Sequence, residues 1–70
     1  MFDYSKLRGR IVEKCGSIEA FAQTVGISSV SMSKKLNNKT DISREDILRW
    51  AEVLDIAKEN YGAYFFTKNV

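Results

Sequence analysis

The 70-residue sequence predicts an all-α fold of four or five short helices, with a short strand or ordered tail at the C-terminal end. Apolar residues recur three and four positions apart along most of the chain, which is the spacing of one helix face. Glycine, serine and asparagine cut this pattern into short pieces, and proline is absent. Because no repeat or linker-like stretch separates the pieces, we expect a single domain over residues 1–70.

Two helices are predicted in the N-terminal third of the chain. The first follows Asp3, a candidate N-cap, and ends at Gly16. Its apolar positions lie four residues apart and are Leu7, Ile11 and Cys15. Ser17 can cap the second helix, and Gly26 stops it. The apolar face of this second helix consists of Ile18, Phe21, Ala22 and Val25.

The remaining helices follow from similar patterns. Ser28 can cap a third helix, which ends near Asn38, a residue type that tolerates the left-handed conformation of a helix end. "SRED" from Ser43 resembles a capping box and begins a fourth helix. The buried stripe predicted for that helix is Ile47, Leu48, Ala51 and Leu54. A fifth helix is predicted around residues 57–64, and "YFFTKNV" extends from it.

The composition offers few groups for catalysis. The chain has no histidine and one cysteine, which excludes an imidazole base, a histidine-containing zinc site and an internal disulfide. Cys15 lies on an apolar helix face, where a core thiol is expected. There is neither a glycine-rich phosphate loop nor an apolar run long enough for a membrane span. We therefore expect no enzyme, no cofactor, no metal and no membrane partner.

Positive charge is concentrated in one half of the chain. Residues 6–39 contain seven basic and two acidic side chains, which gives a net charge of +5. Residues 40–70 contain four basic and six acidic side chains, which gives −2. This asymmetry indicates that one end of the protein meets a polyanion, and charges that serve solubility alone are the alternative.

The second and third predicted helices are joined by a turn of only a few residues. Gly26 permits a positive φ in this turn, and the small Ala22 lets the two helices approach closely. Two short helices joined in this way constitute a helix-turn-helix, here over residues 18–37. At about 100° per residue, Met32 and Leu36 mark the buried side of the third helix and Lys34 points directly away from it.

The segment "SIEAFAQTVGISSVSMSKKLNNKT" resembles the helix-turn-helix of phage Cro/cI-type repressors, the XRE-like regulators. From "FDYSKLRGRIVEK" to "YFFTKNV", the whole chain is similar to small Cro-like phage and prophage proteins. The resemblance implies a lambda-repressor-like DNA-binding domain and a sequence-specific transcriptional regulator or repressor. It also implies a cytoplasmic location in a bacterial host cell, which agrees with the single cysteine.

The resemblance further implies which residues contact DNA when the third helix enters the major groove. The base-facing residues are Ser29, Val30, Ser33, Lys34 and Asn37. The residues expected at backbone phosphates are Ser28, Ser31, Lys35, Lys39 and Thr40. Ile18 stands where many family members carry a glutamine that contacts a phosphate. Because serine replaces glutamine or arginine on the base-facing side, we expect specificity to draw on DNA shape as well.

Double-stranded DNA with a near-palindromic operator is the implied partner, bound by a homodimer whose half-sites lie about 34 Å apart. The candidate dimer-interface residues are Trp50, Phe65 and Phe66, and packing of these aromatics into the protein core is the alternative. Two other functions stay open at this point. One is the antitoxin of a toxin–antitoxin pair, which uses the same fold. The other is a protein-interaction module that binds through the aromatic C-terminal segment.

Overall fold

The computed structural model describes residues 1–68, which form five α-helices and one short 3₁₀ helix. The helices are α1 at Ser5–Cys15, α2 at Ile18–Val25, α3 at Ser29–Leu36, α4 at Arg44–Leu54, the 3₁₀ helix at Lys58–Asn60 and α5 at Tyr61–Phe65. The all-α prediction is confirmed. In place of a C-terminal strand, residues 1–68 contain one isolated antiparallel bridge, between Phe2 and Lys68. The last two residues of the predicted tail, 69 and 70, lie outside the described residues.

Serine residues begin three of the helices, as predicted. The hydroxyl groups of Ser17, Ser28 and Ser43 each accept a hydrogen bond of 3.1 Å from the backbone N–H three residues further on. Asp46 returns a hydrogen bond to the backbone N–H of Ser43, which completes the capping box of α4. These bonds occupy N–H groups that the first turn of a helix leaves without a partner.

The start of α1 differs from the prediction by one residue. Tyr4, not Asp3, occupies the N-cap position, and its side chain makes no capping bond. Asp3 instead accepts hydrogen bonds from the backbone N–H and the hydroxyl of Ser5, at 2.9 and 2.6 Å. These two bonds lower the pKa of the Asp3 carboxyl. The short aspartate side chain forms a local turn with the residue two positions on, so it does not reach the second or third helical N–H.

Left-handed residues end several helices. Gly26 ends α2 with φ of 82°, and Asn38 follows α3 with φ of 61°. The side chain of Asn38 also accepts from the N–H of Phe2 at 3.0 Å and donates to its carbonyl at 2.8 Å. Asp55 ends α4 in the same conformation, which was not predicted from the sequence. Its carbonyl accepts a hydrogen bond from Arg10 at 3.1 Å.

All five α-helices contribute to one apolar core. Its buried residues are Tyr4, Leu7, Ile11, Phe21, Ala22, Val25, Met32, Leu36, Trp50, Ala51, Leu54, Ile56 and Phe65. The rings of Phe21 and Trp50 meet edge to face with their centroids 5.4 Å apart, which joins α2 to α4. No helix within residues 1–68 is long and apolar enough to cross a membrane.

Two of the three residues predicted for a dimer interface lie inside the core. Trp50 is 1% exposed and Phe65 is 2% exposed, so the prediction is wrong for both. A chain of this length has few large side chains with which to fill a core, and both are used there. Phe66 is half exposed, and its role at an interface stays a prediction. Leu48 was expected in the buried stripe of α4, but it is exposed because α4 turns Trp50 inward instead.

Candidate nucleic-acid interface

The turn between α2 and α3 holds the two helices at a fixed angle. Gly26 and Ile27 both donate backbone hydrogen bonds to the carbonyl of Ala22, at 2.9 and 3.0 Å. Met32 and Leu36 on α3 are buried, so the inner side of this helix is fixed against the core. The opposite side of α3 is consequently presented to solvent at an angle that the core determines.

Four of the five residues predicted to face DNA bases lie on that outer side of α3. They are Ser29, Val30, Ser33 and Lys34, and all are exposed. Val30, the second residue of α3, exposes 63% of its surface, so its side chain is open to a ligand. Lys34 makes no hydrogen bond or ion pair with another residue of 1–68, so its ammonium group is free to contact a ligand.

Asn37, the fifth residue of the predicted base-facing set, is engaged within the protein. Its side-chain oxygen accepts a hydrogen bond of 2.7 Å from Arg8 Nη2, and its amide nitrogen donates to Ser33 Oγ at 3.2 Å. Arg8 also donates to the carbonyl of Leu36 at the end of α3. The chain Arg8–Asn37–Ser33 thus fixes the Asn37 amide and occupies one lone pair of the Ser33 hydroxyl oxygen.

Arg8 was not predicted as part of this site. It lies in α1, 28 residues before Leu36, so no local spacing connects it to α3. The basic composition of residues 6–39 was the one available indication, and it did not distinguish Arg8 from its neighbours.

The residues predicted at backbone phosphates divide into two groups. Ser28 and Ser31 stand together at the start of α3, with a hydrogen bond of 3.1 Å between their hydroxyl groups. Lys39 and Thr40 are exposed in the loop after α3. These four stay candidates for phosphate contacts. Lys35 differs from these four, because its ammonium group already pairs with a carboxylate and a carbonyl of the protein.

Lys35 joins α3 to α4. Its Nζ atom lies 2.7 Å from Asp46 Oδ2 and donates to the carbonyl of Asp41 at 3.2 Å. Burial alone would raise the pKa of Asp46, but the hydrogen bonds from Lys35 and Ser43 and the charge of Lys35 together outweigh it and lower that pKa. Asp46 therefore stays ionised and holds Lys35, and the contact of Lys35 with DNA phosphates stays a prediction that requires this ion pair to open.

The start of α2 forms a shallow groove with α3. Its volume is about 300 Å³, and it is lined by Arg8, Ile18, Glu19, Ser29 and Ser33. Ile18 packs partly against the core, which gives it a structural role. Glu19 is exposed and places negative charge on the wall of the groove. The groove therefore places the exposed hydroxyl groups of Ser29 and Ser33 beside the carboxylate of Glu19, which repels anions.

A second surface feature is apolar. A groove of about 590 Å³ runs beside α4 and α5, and it is lined by Ile42, Arg44, Ile47, Leu48, Lys58, Tyr61 and Phe66. Leu48 and Phe66 are 48% and 51% exposed. Two exposed large apolar side chains beside one groove are typical of a protein contact surface. We call this feature the α4–α5 groove.

The chain belongs to a family described as a protein of unknown function (DUF739), whose sequence profile matches residues 1–68. Its fold is that of a small phage regulatory protein. One similar structure is the solution structure of the modulator of repression (MOR) of the temperate bacteriophage TP901-1 from Lactococcus lactis. The two sequences are 40% identical, the match covers 93% of this chain and 88% of the other, and the TM-score is 0.84. No curated protein sequence matches the chain.

Proposed function

We propose that this protein regulates transcription in a phage or prophage by binding double-stranded DNA, with α3 in the major groove. The similarity to a phage modulator of repression supports a regulatory role in general, and DNA binding is the specific form of that role that we propose. The observation that carries it is the outer side of α3, where Lys34 and Val30 stand exposed among serine hydroxyl groups.

The chemistry of this face suits base edges. Lys34 can donate to guanine O6 and N7, and Val30 can contact a thymine methyl group. The Asn37 amide occupies one lone pair of the Ser33 oxygen, which leaves the Ser33 hydroxyl proton available to an acceptor on a base. Ser28, Ser31, Lys39 and Thr40 can contact the phosphates on either side. A homodimer on a near-palindromic site would double this small contact set.

In vitro selection of duplex DNA, followed by titration of the selected site, tests the proposal. We expect a recurring sequence motif, binding that weakens with salt in proportion to the phosphates contacted, and a roughly 5- to 100-fold loss of affinity in Lys34→Ala. Lys14→Ala is the matched control, because it removes the same charge from an exposed position on α1. Equal affinity of the two variants, or no selected motif, would exclude readout by α3.

A second candidate function is binding to another protein of a repression system through the α4–α5 groove. The exposed Leu48 and Phe66 beside that groove favour it, and so does the name of the similar phage protein, a modulator of repression. The aromatic C-terminal segment supplies Tyr61 and Phe66 to this surface, as expected for a protein-interaction module. The antitoxin alternative gains no observation of its own.

Co-expression with the repressor of the phage or prophage that carries this protein tests the second candidate. If the groove binds that repressor, Phe66→Ala should weaken copurification by tenfold or more, as expected for an anchoring aromatic residue. Lys34→Ala should leave it unchanged, and it serves as the control. Copurification that Phe66→Ala does not alter would exclude the groove as the contact surface.

A further inference from the structure

The outer side of α4 carries an exposed leucine between charges of opposite sign. Arg44, Leu48 and Glu52 are four residues apart, so they form one row along the helix. All three are exposed. From the N-terminal to the C-terminal end of α4, the row is basic, apolar and acidic.

The two charges of this row oppose the dipole of their own helix. A helix favours acidic side chains in its first turn and basic side chains in its last turn. Arg44 is the first residue of α4, and Glu52 lies in the last turn, which contains no basic residue. Neither side chain forms an ion pair with another residue in the part of the chain that the structure describes. The dipole of α4 therefore does not account for their placement.

An antiparallel copy of the same helix does account for it. We infer that α4 binds α4 of a second copy of this chain around a two-fold axis at Leu48. Position 48 − n of one helix then faces position 48 + n of the other, so Arg44 lies opposite Glu52 of the second copy, and this pair occurs twice. Each Arg44 also lies at the C-terminal end of the opposite helix, whose dipole attracts a positive charge.

The packing geometry agrees with this pairing. Side chains four residues apart form the ridges that interlock in the commonest class of helix–helix packing. At the axis, the two Leu48 side chains contact each other, and each borders the α4–α5 groove of its own copy. A two-fold contact uses the same surface on both copies, so that surface must be complementary to itself. A row that is basic at one end and acidic at the other meets this condition.

The contact is expected to be weak and sensitive to salt. One helix pair buries less surface than a typical stable interface, so we expect a dissociation constant of roughly 100 µM. The outer charge pairs are solvent-exposed, so added salt should weaken association further. This inference does not depend on DNA binding, because α3 takes no part in it.

Sedimentation equilibrium of the full chain without DNA, from about 10 µM to about 1 mM, tests the inference. We expect a monomer–dimer equilibrium for the wild type. Arg44→Glu and Glu52→Arg should each weaken dimerisation by about tenfold, since each places like charges opposite one another twice. The double variant R44E/E52R should return to within about threefold of the wild type.

The controls separate this result from misfolding. Arg44→Glu and Glu52→Arg both place a charge that the dipole of α4 favours, so they should leave folding intact. The fluorescence of the buried Trp50 reports folding directly. Glu59→Arg makes the same charge change as Glu52→Arg, but outside α4, and should leave dimerisation unchanged. A wild type that stays an 8.0 kDa monomer up to about 1 mM, or a double variant as weak as the single ones, would overturn the inference.

Discussion

Arg8 ties the candidate DNA face to the rest of the protein. Its guanidinium group bonds the last carbonyl of α3 and the side-chain oxygen of Asn37, and Asn37 in turn bonds Ser33. In the proposed function Arg8 is therefore a positioning residue, because it orients the groups that we propose to face bases without needing to contact DNA.

We expect Arg8→Ala to relax sequence preference more than it lowers affinity. Loss of the hydrogen bond from Arg8 frees the Asn37 amide to rotate. The hydrogen bond that this amide donates to Ser33 is then no longer held in place. The free energy of unfolding should fall by about 1 kcal/mol from the lost bonds. In vitro selection and urea unfolding measure the two effects. Lys14→Ala, which removes a charge from the same helix, should leave the selected motif unchanged. A uniform loss of affinity with an unchanged motif in Arg8→Ala would show that Arg8 contributes charge alone.

Asp46 gives the fold a defined dependence on pH. Its pKa is lowered in the folded protein, so its ionised form stabilises the fold above the unfolded value near 3.8, and this contribution is lost as pH falls through the folded value. Asp46→Asn should cost about 1 kcal/mol of unfolding free energy at neutral pH, since it removes the bond to Lys35.

The difference between Asp46→Asn and wild type should be smaller at an acidic pH below the lowered pKa of Asp46 than at neutral pH, because both side chains are neutral there. Urea unfolding followed by Trp50 fluorescence at the two pH values measures it. Glu45→Gln is the matched control, because Glu45 is exposed and makes no ion pair within residues 1–68. A difference that is equal at both pH values would mean that the ionised carboxylate is not its source.

At the scale of the elements, the turn between α2 and α3 depends on backbone conformation more than on space. A methyl group added at Gly26 would meet nothing within 4 Å, but the residue has φ of 82°. Gly26→Ala should therefore destabilise the fold by about 1 kcal/mol through left-handed strain.

Gly9 provides a control of opposite sign for that prediction. It lies inside α1, and an added methyl group there also meets nothing within 4 Å. Gly9→Ala should stabilise the protein by roughly 0.5–1 kcal/mol, because alanine is the better helix former. Thermal unfolding compares the two variants. If both shift stability in the same direction, conformational preference does not explain the cost at Gly26.

The helices and their caps were predictable because they depend on neighbours in sequence. Ser17, Ser28 and Ser43 cap helices as expected, since a side-chain oxygen reaches an N–H three residues away wherever the chain turns. The rotation of α4 was not predictable in the same way. Trp50 and Leu48 are both apolar, and contacts with other helices, such as that of Trp50 with Phe21 on α2, decide which of them faces the core.

In the candidate site, too, features set by neighbouring residues were predictable and contacts between distant segments were not. The exposure of Ser29, Val30, Ser33 and Lys34 follows from helix periodicity once Met32 and Leu36 are buried. The engagement of Lys35 by Asp46 and of Asn37 by Arg8 depends on contacts between distant segments. No spacing in a single sequence indicates those contacts.

For the whole molecule, the charge distribution and the fold support one account. The basic residues 6–39 include all of α3 and the turn before it, whereas the acidic residues 40–70 include α4 and α5. We expect DNA to approach the first part and protein partners, including a second copy, to contact the second. The central claim is that α3 is the surface that meets DNA.

Amide chemical-shift mapping by NMR, during titration with a selected DNA duplex, tests that claim most directly. The account predicts that the largest shifts fall on residues 28–40, with small shifts at Leu48 and Phe66, and that Lys34→Ala reduces them. Shifts confined to α4 and α5, or none at low salt with any duplex, would contradict the claim and leave protein binding as the function.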